Sequence, residues 1–557
     1  MKHIIILLTV LSSFSACNMV AGWNKDKNDD STNVAQPNTD DEGTEEPAVV
    51  YRDMSIDSSN AYSDLFLDST SLEAYIKTKK LSGREATDIR NFYNARNFQY
   101  AWFTTEGFTE QGRGFWNLYN DAATSDQNKK NRKLNNRMDS LLENDTLLIS
   151  PTDTGFTQTE FQITQKFLGF AKANLSTNNV KANAAYYLIP AKKEDAMTLA
   201  DSLLNKQKDT SLYQGNTTYN ALKQKLAVYY NAAKNGTWQT ITAKGLKKGA
   251  ASPMVSALKK RLAASGDYIT NDTTAQFNDS LDLAIKDLQV RIGQKPTGIV
   301  SDSLIRFLNV PVEKRVEQLI VNMNRALWMP APKDSNYIQV NVPAFTLYAF
   351  EGSRKAFDMP VVVGKEGTNT MMFTGDLNQI VFSPYWNIPA SIVEREILPA
   401  IKKDKDYLKK HNMEIVSQND SLPVIRQLPG DKNSLGRAKF LFPNSYDIYF
   451  HDTPAKEIFA KQNRAASHGC IRLANSEQMA IYLLRNQSEW TTEKIKAAMN
   501  SDKEQKVAVS KSVPVFITYY TAWADENGNI NFRDDIYGHD EKTSAKMFTA
   551  KPVTRIS

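Results

Sequence analysis

His451-Asp452-Thr453-Pro454 and, with its cysteine 19 positions after that histidine, Ser467-His468-Gly469-Cys470-Ile471-Arg472-Leu473 are the segments on which the chain is read. A cysteine follows a glycine, stands beside one histidine and has a second upstream. A free thiol with a pKa of about 8.5 is only roughly 3% thiolate at neutral pH. An imidazole that takes the proton makes the thiolate available, the usual activation of a nucleophilic cysteine. Gly469 permits close approach of a substrate carbonyl and lets main-chain N–H groups near Cys470 point at one oxygen. An oxyanion donor of that kind lowers a barrier by roughly 3 kcal/mol.

The flanking sequence has a period of two. Ile338, Val340 and Val342 alternate with polar residues, and Thr346 to Phe350 is a further strand candidate before Glu351-Gly352. Met359 to Val363, Gln379 to Ser383, Ile448 to His451 and Val513 to Tyr519 continue the strand-rich character. Ser391 to Asn412, rich in Lys and Glu, reads as helix inside this domain. Residues 387–427 are therefore expected to form a helical cap that moves over the site.

The His451 and Ser-His-Gly-Cys-Ile-Arg-Leu pair resembles the L,D-transpeptidase family of YkuD type. Met359-Pro360-Val361-Val362-Val363-Gly364-Lys365, Pro384-Tyr385-Trp386-Asn387-Ile388-Pro389, Asn433-Ser434-Leu435-Gly436 and Asp534-Asp535-Ile536-Tyr537-Gly538 resemble recurrent segments of its large, capped subgroup. The resemblance runs from about 315 to 540 and implies a β-rich, sandwich-like catalytic domain. It implies that Cys470 is the acylated nucleophile and His451 its base, oriented by a main-chain carbonyl rather than by Asp452. Ser467, His468 and Gly469 then line the nucleophile and oxyanion site, and Arg472 holds a substrate carboxylate. Simpler members carry asparagine at the Arg472 position, whereas arginine is usual in the capped subgroup. The implied reaction is peptidoglycan 3→3 cross-linking by acyl transfer from a tetrapeptide stem, with release of D-alanine. Peptidoglycan stems are the implied partners and carbapenem-type β-lactams the implied inhibitors. A hydrolase on the same scaffold and a non-catalytic wall-tethering lipoprotein are the alternatives. Papain-like peptidases place the cysteine before the histidine, the reverse of the order here.

Upstream the period becomes helical. Between Thr70 and Ala250 apolar residues recur as in Leu222, Leu226, Tyr229 and Tyr230, with polar breaks such as Asn216-Thr217-Thr218. Phe92-Tyr93, Phe98, Tyr100, Trp102 and Phe103 read as core. In residues 251–312, Val255, Leu258 and Leu262 mark one helix, Leu281, Ile285, Leu288 and Ile292 a second, and Leu304 and Leu308 a third. With Leu288-Gln289 and Gly298-Ile299-Val300-Ser301, this order resembles the three-helix peptidoglycan-binding domain. The expected fold is thus multidomain α+β, with a helical scaffold over 51–250, the three-helix module over 251–312, the catalytic domain over 313–545 and a tail over 546–557.

The start of the chain reads as a secretory signal. Lys2 precedes the apolar run Ile4 to Leu11, too short to span a bilayer, and Phe14-Ser15-Ala16-Cys17 resembles a lipobox. Cys17 is the expected lipidation site, with anchorage to a membrane facing the periplasm, the outer membrane being favoured. Residues 18–50 carry eight acidic groups against two lysines and read as a disordered tether. The 557-residue chain is +6 overall; the signal carries +1 and the tether −6, leaving +11 for residues 51–557. A basic body suits an anionic wall polymer, and a secreted chain rarely meets nucleic acid. With Cys17 assigned to lipid, Cys470 is the remaining thiol of two. His411 reads as a surface residue and His539 as structural. No metal-ligand spacing and no phosphate loop occurs in the sequence, so neither metal nor cofactor is expected.

Overall fold

Asp68 accepts the Thr70 N–H and begins the first helix, α1 (Ser69–Lys79). The computed structural model describes residues 49–549 apart from 123–124, 143–148, 151–152, 175–187, 207–215, 270–271, 331, 333 and 419–421. The signal, Cys17, nearly all of the tether and residues 550–557 of the tail lie outside the described residues. Helices α2 (Gly83–Asn94), α3 (Glu110–Ala122), α4 (Ser125–Leu142) and α5 (Thr154–Asn174) come next, with a small hairpin, β1 (Phe103–Thr104) and β2 (Gly107–Phe108), before α3. The aromatic cluster read from sequence forms their core: Tyr93, Trp102 and Phe103 have no exposed surface. Glu160 is also fully buried there, its carboxylate accepting the Ala101 and Trp102 N–H groups at 2.7 and 3.1 Å. Burial nevertheless pushes its pKa up to about 7.

After α6 (Ala196–Asp201), the break at Asn216 proves to be a cap. Its side chain accepts the Tyr219 N–H and starts α7 (Thr217–Lys234), whose Leu222 and Leu226 are fully buried. Ser252, Asn278 and Ser301 cap three further helices in the same way, α8 (Pro253–Ala264), α9 (Asp279–Arg291) and α10 (Asp302–Leu308). These three enclose a core of their own around Leu258, Leu262, Ile285, Leu288 and Leu304.

Helix α11 (Val312–Leu327) ties the helical half of the chain to the strand-rich half. Its Val316, Leu319, Ile320 and Met323 share one core with Leu222 and Leu226 of α7 and with Tyr520, Ile530 and Phe532 near the chain's end. Each such large side chain, fully buried, contributes roughly 1.5–3 kcal/mol.

The strand-rich half is built on one nine-stranded sheet. Its strands are β3 (Asn336–Asn341), β4 (Thr346–Glu351), β5 (Arg354–Gly364), β6 (Phe373–Phe382), β10 (Ala438–Leu441), β11 (Phe450–His451), β12 (Ala465–Ser467), β13 (Ile471–Leu473) and β14 (Gln505–Thr518). The order is β12-β5-β13-β11-β10-β6-β14-β3-β4, and β4 also pairs with β5, so the sheet closes on itself. The two faces of the sandwich-like expectation thus belong to one closed sheet. Helices α15 (Ser476–Leu484) and α16 (Thr492–Met499) add Met479, Leu483 and Ile495 to its core. A hairpin, β15 (Ala522–Ala524) with β16 (Ile530–Phe532), and α17 (His539–Met547) close the described chain.

The insertion is not all helix. It runs from β7 (Trp386–Asn387) through α12 (Ala390–Ile392), a wider turn at Val393–Ile397, α13 (Leu398–Lys403) and α14 (Tyr407–Lys410). It then returns as β8 (Met413–Gln418) and β9 (Pro423–Gln427), in a three-stranded sheet ordered β7-β9-β8. The expected continuous helix to Asn412 stops because Asp404 adopts an extended conformation, φ −138° and ψ 105°. The β-branched residues Ile415, Val416, Val424 and Ile425 then favour pairing. Ile388, Val393, Ile397 and Ile425 form the insertion's own small core.

Candidate active site

Parallel pairing of β11 with β13 sets the site. Phe450 registers with Ile471 and His451 with Arg472. Phe450 and Ile471 are fully buried in the core, so alternation sends His451 and Arg472 to the opposite face, with Cys470 one step from Ile471 on that side.

Gly469 has φ +113°, a conformation that side chains rarely tolerate. A Cβ there would find its nearest neighbours at 3.9 Å, so backbone conformation rather than crowding requires the glycine. Ser467 ties this turn from within: its hydroxyl donates to the Cys470 carbonyl at 2.6 Å and accepts the Gly469 N–H at 3.2 Å. Ser467, placed by sequence in the substrate-binding group, is 2% exposed and engaged in shaping the turn.

A second layer holds the turn from outside. Thr370 donates its hydroxyl proton to the Gly469 carbonyl at 2.8 Å and accepts the Gly364 N–H at 2.8 Å. Tyr537 donates to the Gly364 carbonyl at 2.5 Å and accepts the Thr370 N–H at 3.3 Å. A Cβ on Gly364 would lie 2.0 Å from the Thr368 carbonyl oxygen, so only glycine fits. The sequence marks the Ile-Tyr-Gly segment without a role and gives no sign of Thr370, because nothing local relates positions 364, 370, 469 and 537.

His451 is 5% exposed, and its Nδ1 lies 2.6 Å from the main-chain carbonyl of Asp452. A carbonyl only accepts, so Nδ1 carries the proton and Nε2 is the free base. The Asp452 carboxylate is engaged elsewhere, accepting from Lys456 Nζ at 2.6 Å and from the Arg437 N–H at 2.9 Å. Burial, then the Arg472 charge, lowers the His451 pKa to about 4, so the imidazole is neutral at physiological pH. Burial also pushes the Cys470 thiol up, opposed by the Tyr449 N–H and hydroxyl and by Arg472. The resting state is therefore a neutral thiol beside a neutral base, with Sγ 3.8 Å from the Asp447 carbonyl oxygen that it faces. Tyr449 is a neighbour that the motif did not reveal; strand parity, two residues before His451, is the signal that would have found it.

Arg472 is half-buried, and its Nε has no hydrogen-bond partner among the described residues. His468 turns away from the thiol: its Nε2 lies 3.0 Å from Glu396 Oε1 in the insertion. His411 is exposed and packs on Tyr407 at 4.2 Å between ring centroids. His539 packs against Tyr519 and Tyr537 at 4.7 and 5.6 Å, and burial lowers its pKa. Among the described residues, no three His, Cys, Asp or Glu side chains converge as metal ligands would, and no helix is long and apolar enough to cross a membrane.

Residues 335–543 match the family described as the L,D-transpeptidase catalytic domain. Those residues form an L,D-transpeptidase catalytic domain of YkuD type. Residues 87–226 match a separate family described as the scaffold domain. A curated protein of Haemophilus influenzae named "Putative L,D-transpeptidase" is 33% identical over 256 residues, covering 43% of this chain and 52% of that protein. The match therefore spans about half of the relative's length. Among solved structures, an L,D-transpeptidase from Stackebrandtia nassauensis aligns over 50% of this chain and 95% of its own at 15% identity, with a TM-score of 0.21. One from Xylanimonas cellulosilytica aligns over 50% and 98% at 13% identity, with a TM-score of 0.16. Scores at that level add no argument to the family match.

Proposed function

We propose that this chain is a peptidoglycan L,D-transpeptidase that forms 3→3 cross-links through a Cys470 thioester. The observation that carries the reading is the shared sheet face of Cys470, His451 and Arg472, with the His451 ring fixed so that Nε2 is the free base. Nε2 takes the thiol proton as Sγ attacks the carbonyl of the third residue of a donor tetrapeptide stem. The tetrahedral intermediate collapses, the bond to D-alanine breaks, and the imidazolium returns its proton to the leaving amine. The side-chain amine of a neighbouring stem then attacks the thioester and loses a proton to His451, and the thiol is restored. The half-buried Arg472 guanidinium, on the same face as His451, is a donor for a stem carboxylate. Main-chain N–H groups beside Gly469, whose own N–H is held by Ser467, stabilise the oxyanion.

Incubation with a defined disaccharide tetrapeptide, read by mass spectrometry, is expected to give 3→3 dimer and free D-alanine. Tripeptide without dimer would replace this reading with the hydrolase. The same assay across pH is expected to place the acidic limb of kcat/KM near pH 4 rather than 6.5, because His451 loses its role as base only when protonated. A limb near 6.5 would remove His451 from that role.

The insertion favours amine over water as acceptor. Glu396 reaches His468, two residues from the nucleophile, so the insertion contacts the turn that carries the thiol. A cover that excludes water protects a thioester from hydrolysis. Trp386 pairs with Gln427, so residues between them can be removed and the ends joined by a short turn. That variant is expected to keep Cys470 reactive toward a small thiol reagent while the hydrolysed share of acyl-enzyme rises severalfold. An unchanged ratio of transfer to hydrolysis in a folded variant would sink the lid.

A further inference from the structure

Away from the thiol, a cavity of about 560 Å³ lies between α3 and the outer face of β6 and β14. Asp376 and Asn378 are exposed there, on the side of β6 opposite the buried Phe373 and Leu377. Asn117 and Asn120 face them from α3. Asn117 is held in place by donating its Nδ2 proton to the Met372 carbonyl at 2.8 Å. Trp116 lines the same wall, fully buried, and its Nε1–H has no acceptor among the described residues.

The chemistry narrows the occupant. None of the described residues lining the cavity is lysine or arginine, so an anionic group finds no counter-charge. A cation, which only donates, leaves the amide N–H groups of the exposed Asn120 and Asn378 without an acceptor. Carboxamides that both donate and accept, together with the two carboxylate acceptors Asp121 and Asp376, match hydroxyl and acetamido groups. The volume falls in the range of ordinary ligand sites.

We infer that this cavity binds the neutral glycan chain to which the peptide stems are attached; this rests on the transpeptidase reading. The geometry couples the two sites. Asn444 lines the cavity, and three residues on, Asp447 presents its carbonyl 3.8 Å from Sγ of Cys470. Three extended residues span at most about 10 Å. A donor stem needs the same three-residue reach from its sugar to the carbonyl that Cys470 attacks. A saccharide seated between α3 and β6 thus sets the stem's third residue at the thiol, while the stem's carboxylates are left to Arg472.

The test uses the full chain and a tetramer of N-acetylglucosamine as probe, in calorimetric titration. Wild type is expected to bind saturably, and Asn120→Arg and Asn378→Arg, both at exposed positions, to weaken binding by about tenfold or more. Acylation of Cys470 by a carbapenem is expected to stay unchanged in both, which reads the fold and the thiol independently of the cavity. Absence of saturable binding to wild type overturns the inference, as does binding that neither substitution weakens, which would place the saccharide elsewhere on the chain. Binding lost in the variants of a protein that fails to cross-link supports the cavity and rejects the transferase reading alone. Cross-linking of free stems without any glycan binding rejects the cavity alone.

Discussion

Cross-linking by the Cys470→Ala protein is expected to fall by roughly 10⁴-fold or more, with thermal stability close to wild type. Removing the atom that forms the acyl bond removes the pathway, and such losses commonly reach this size. The fold is spared because the side chain is partly exposed and its sulfur's contact with the Asp447 carbonyl is long, at 3.8 Å. Surface changes of this kind stay within about 0.5 kcal/mol. His451→Ala is expected to approach the same loss, whereas His539→Ala keeps most activity and loses stability, since its ring packs edge-on against both Tyr519 and Tyr537. Product quantification beside melting curves checks all three. Residual activity above about 1% in Cys470→Ala, or equal loss from His539→Ala, would take the chemistry away from this thiol.

Sequence is most informative where one short segment carries both chemistry and parity. Alternation around Ile338, Val340 and Val342 marks β3, and the order of His451 and Cys470 leads to a pair of neighbouring parallel strands. Helical spacing at Leu222, Leu226 and Tyr229 lies on one buried face of α7. The misses share a cause. Thr370, Tyr537 and Gly364 meet only through tertiary pairing, and the strand content of the insertion is hidden behind its lysines and glutamates. The long β14 is legible only from Val513, because the polar run Ser510-Lys511-Ser512, where its pairing with β6 shifts register, separates Val507 and Val509 from the buried positions of the same parity that follow. The cavity beside α3 leaves no local trace, since its walls are some 250 residues apart in sequence.

Arg325→Ala is expected to have the largest effect on stability. Arg325 is 4% exposed and carries ion pairs to Glu110, at the start of α3, and to Asp540 in α17, with the Tyr519 ring 5.2 Å from its guanidinium carbon. The two carboxylates are themselves bound: Thr543 donates to Glu110 at 2.7 Å and Thr521 to Asp540 at 2.5 Å. The Arg325 charge holds Glu110 below its usual range against burial, while burial pushes Asp540 up. Alanine at 325 leaves both carboxylates buried without their cation, a change that costs about 3–5 kcal/mol. The cost depends on pH. In the variant both carboxylates have folded pKa values raised above their unfolded values, so the folded form binds protons more readily. The stability gap to wild type therefore narrows as pH falls from 7 toward 5, and urea midpoints across that range measure it. A gap independent of pH would mean that lost packing rather than stranded charge is responsible. Because Glu110 begins the helix that carries Trp116, Asn117 and Asn120, the same substitution is also expected to weaken saccharide binding while Cys470 remains open to acylation. That separates the scaffold's part in holding a glycan from the chemistry of the thiol.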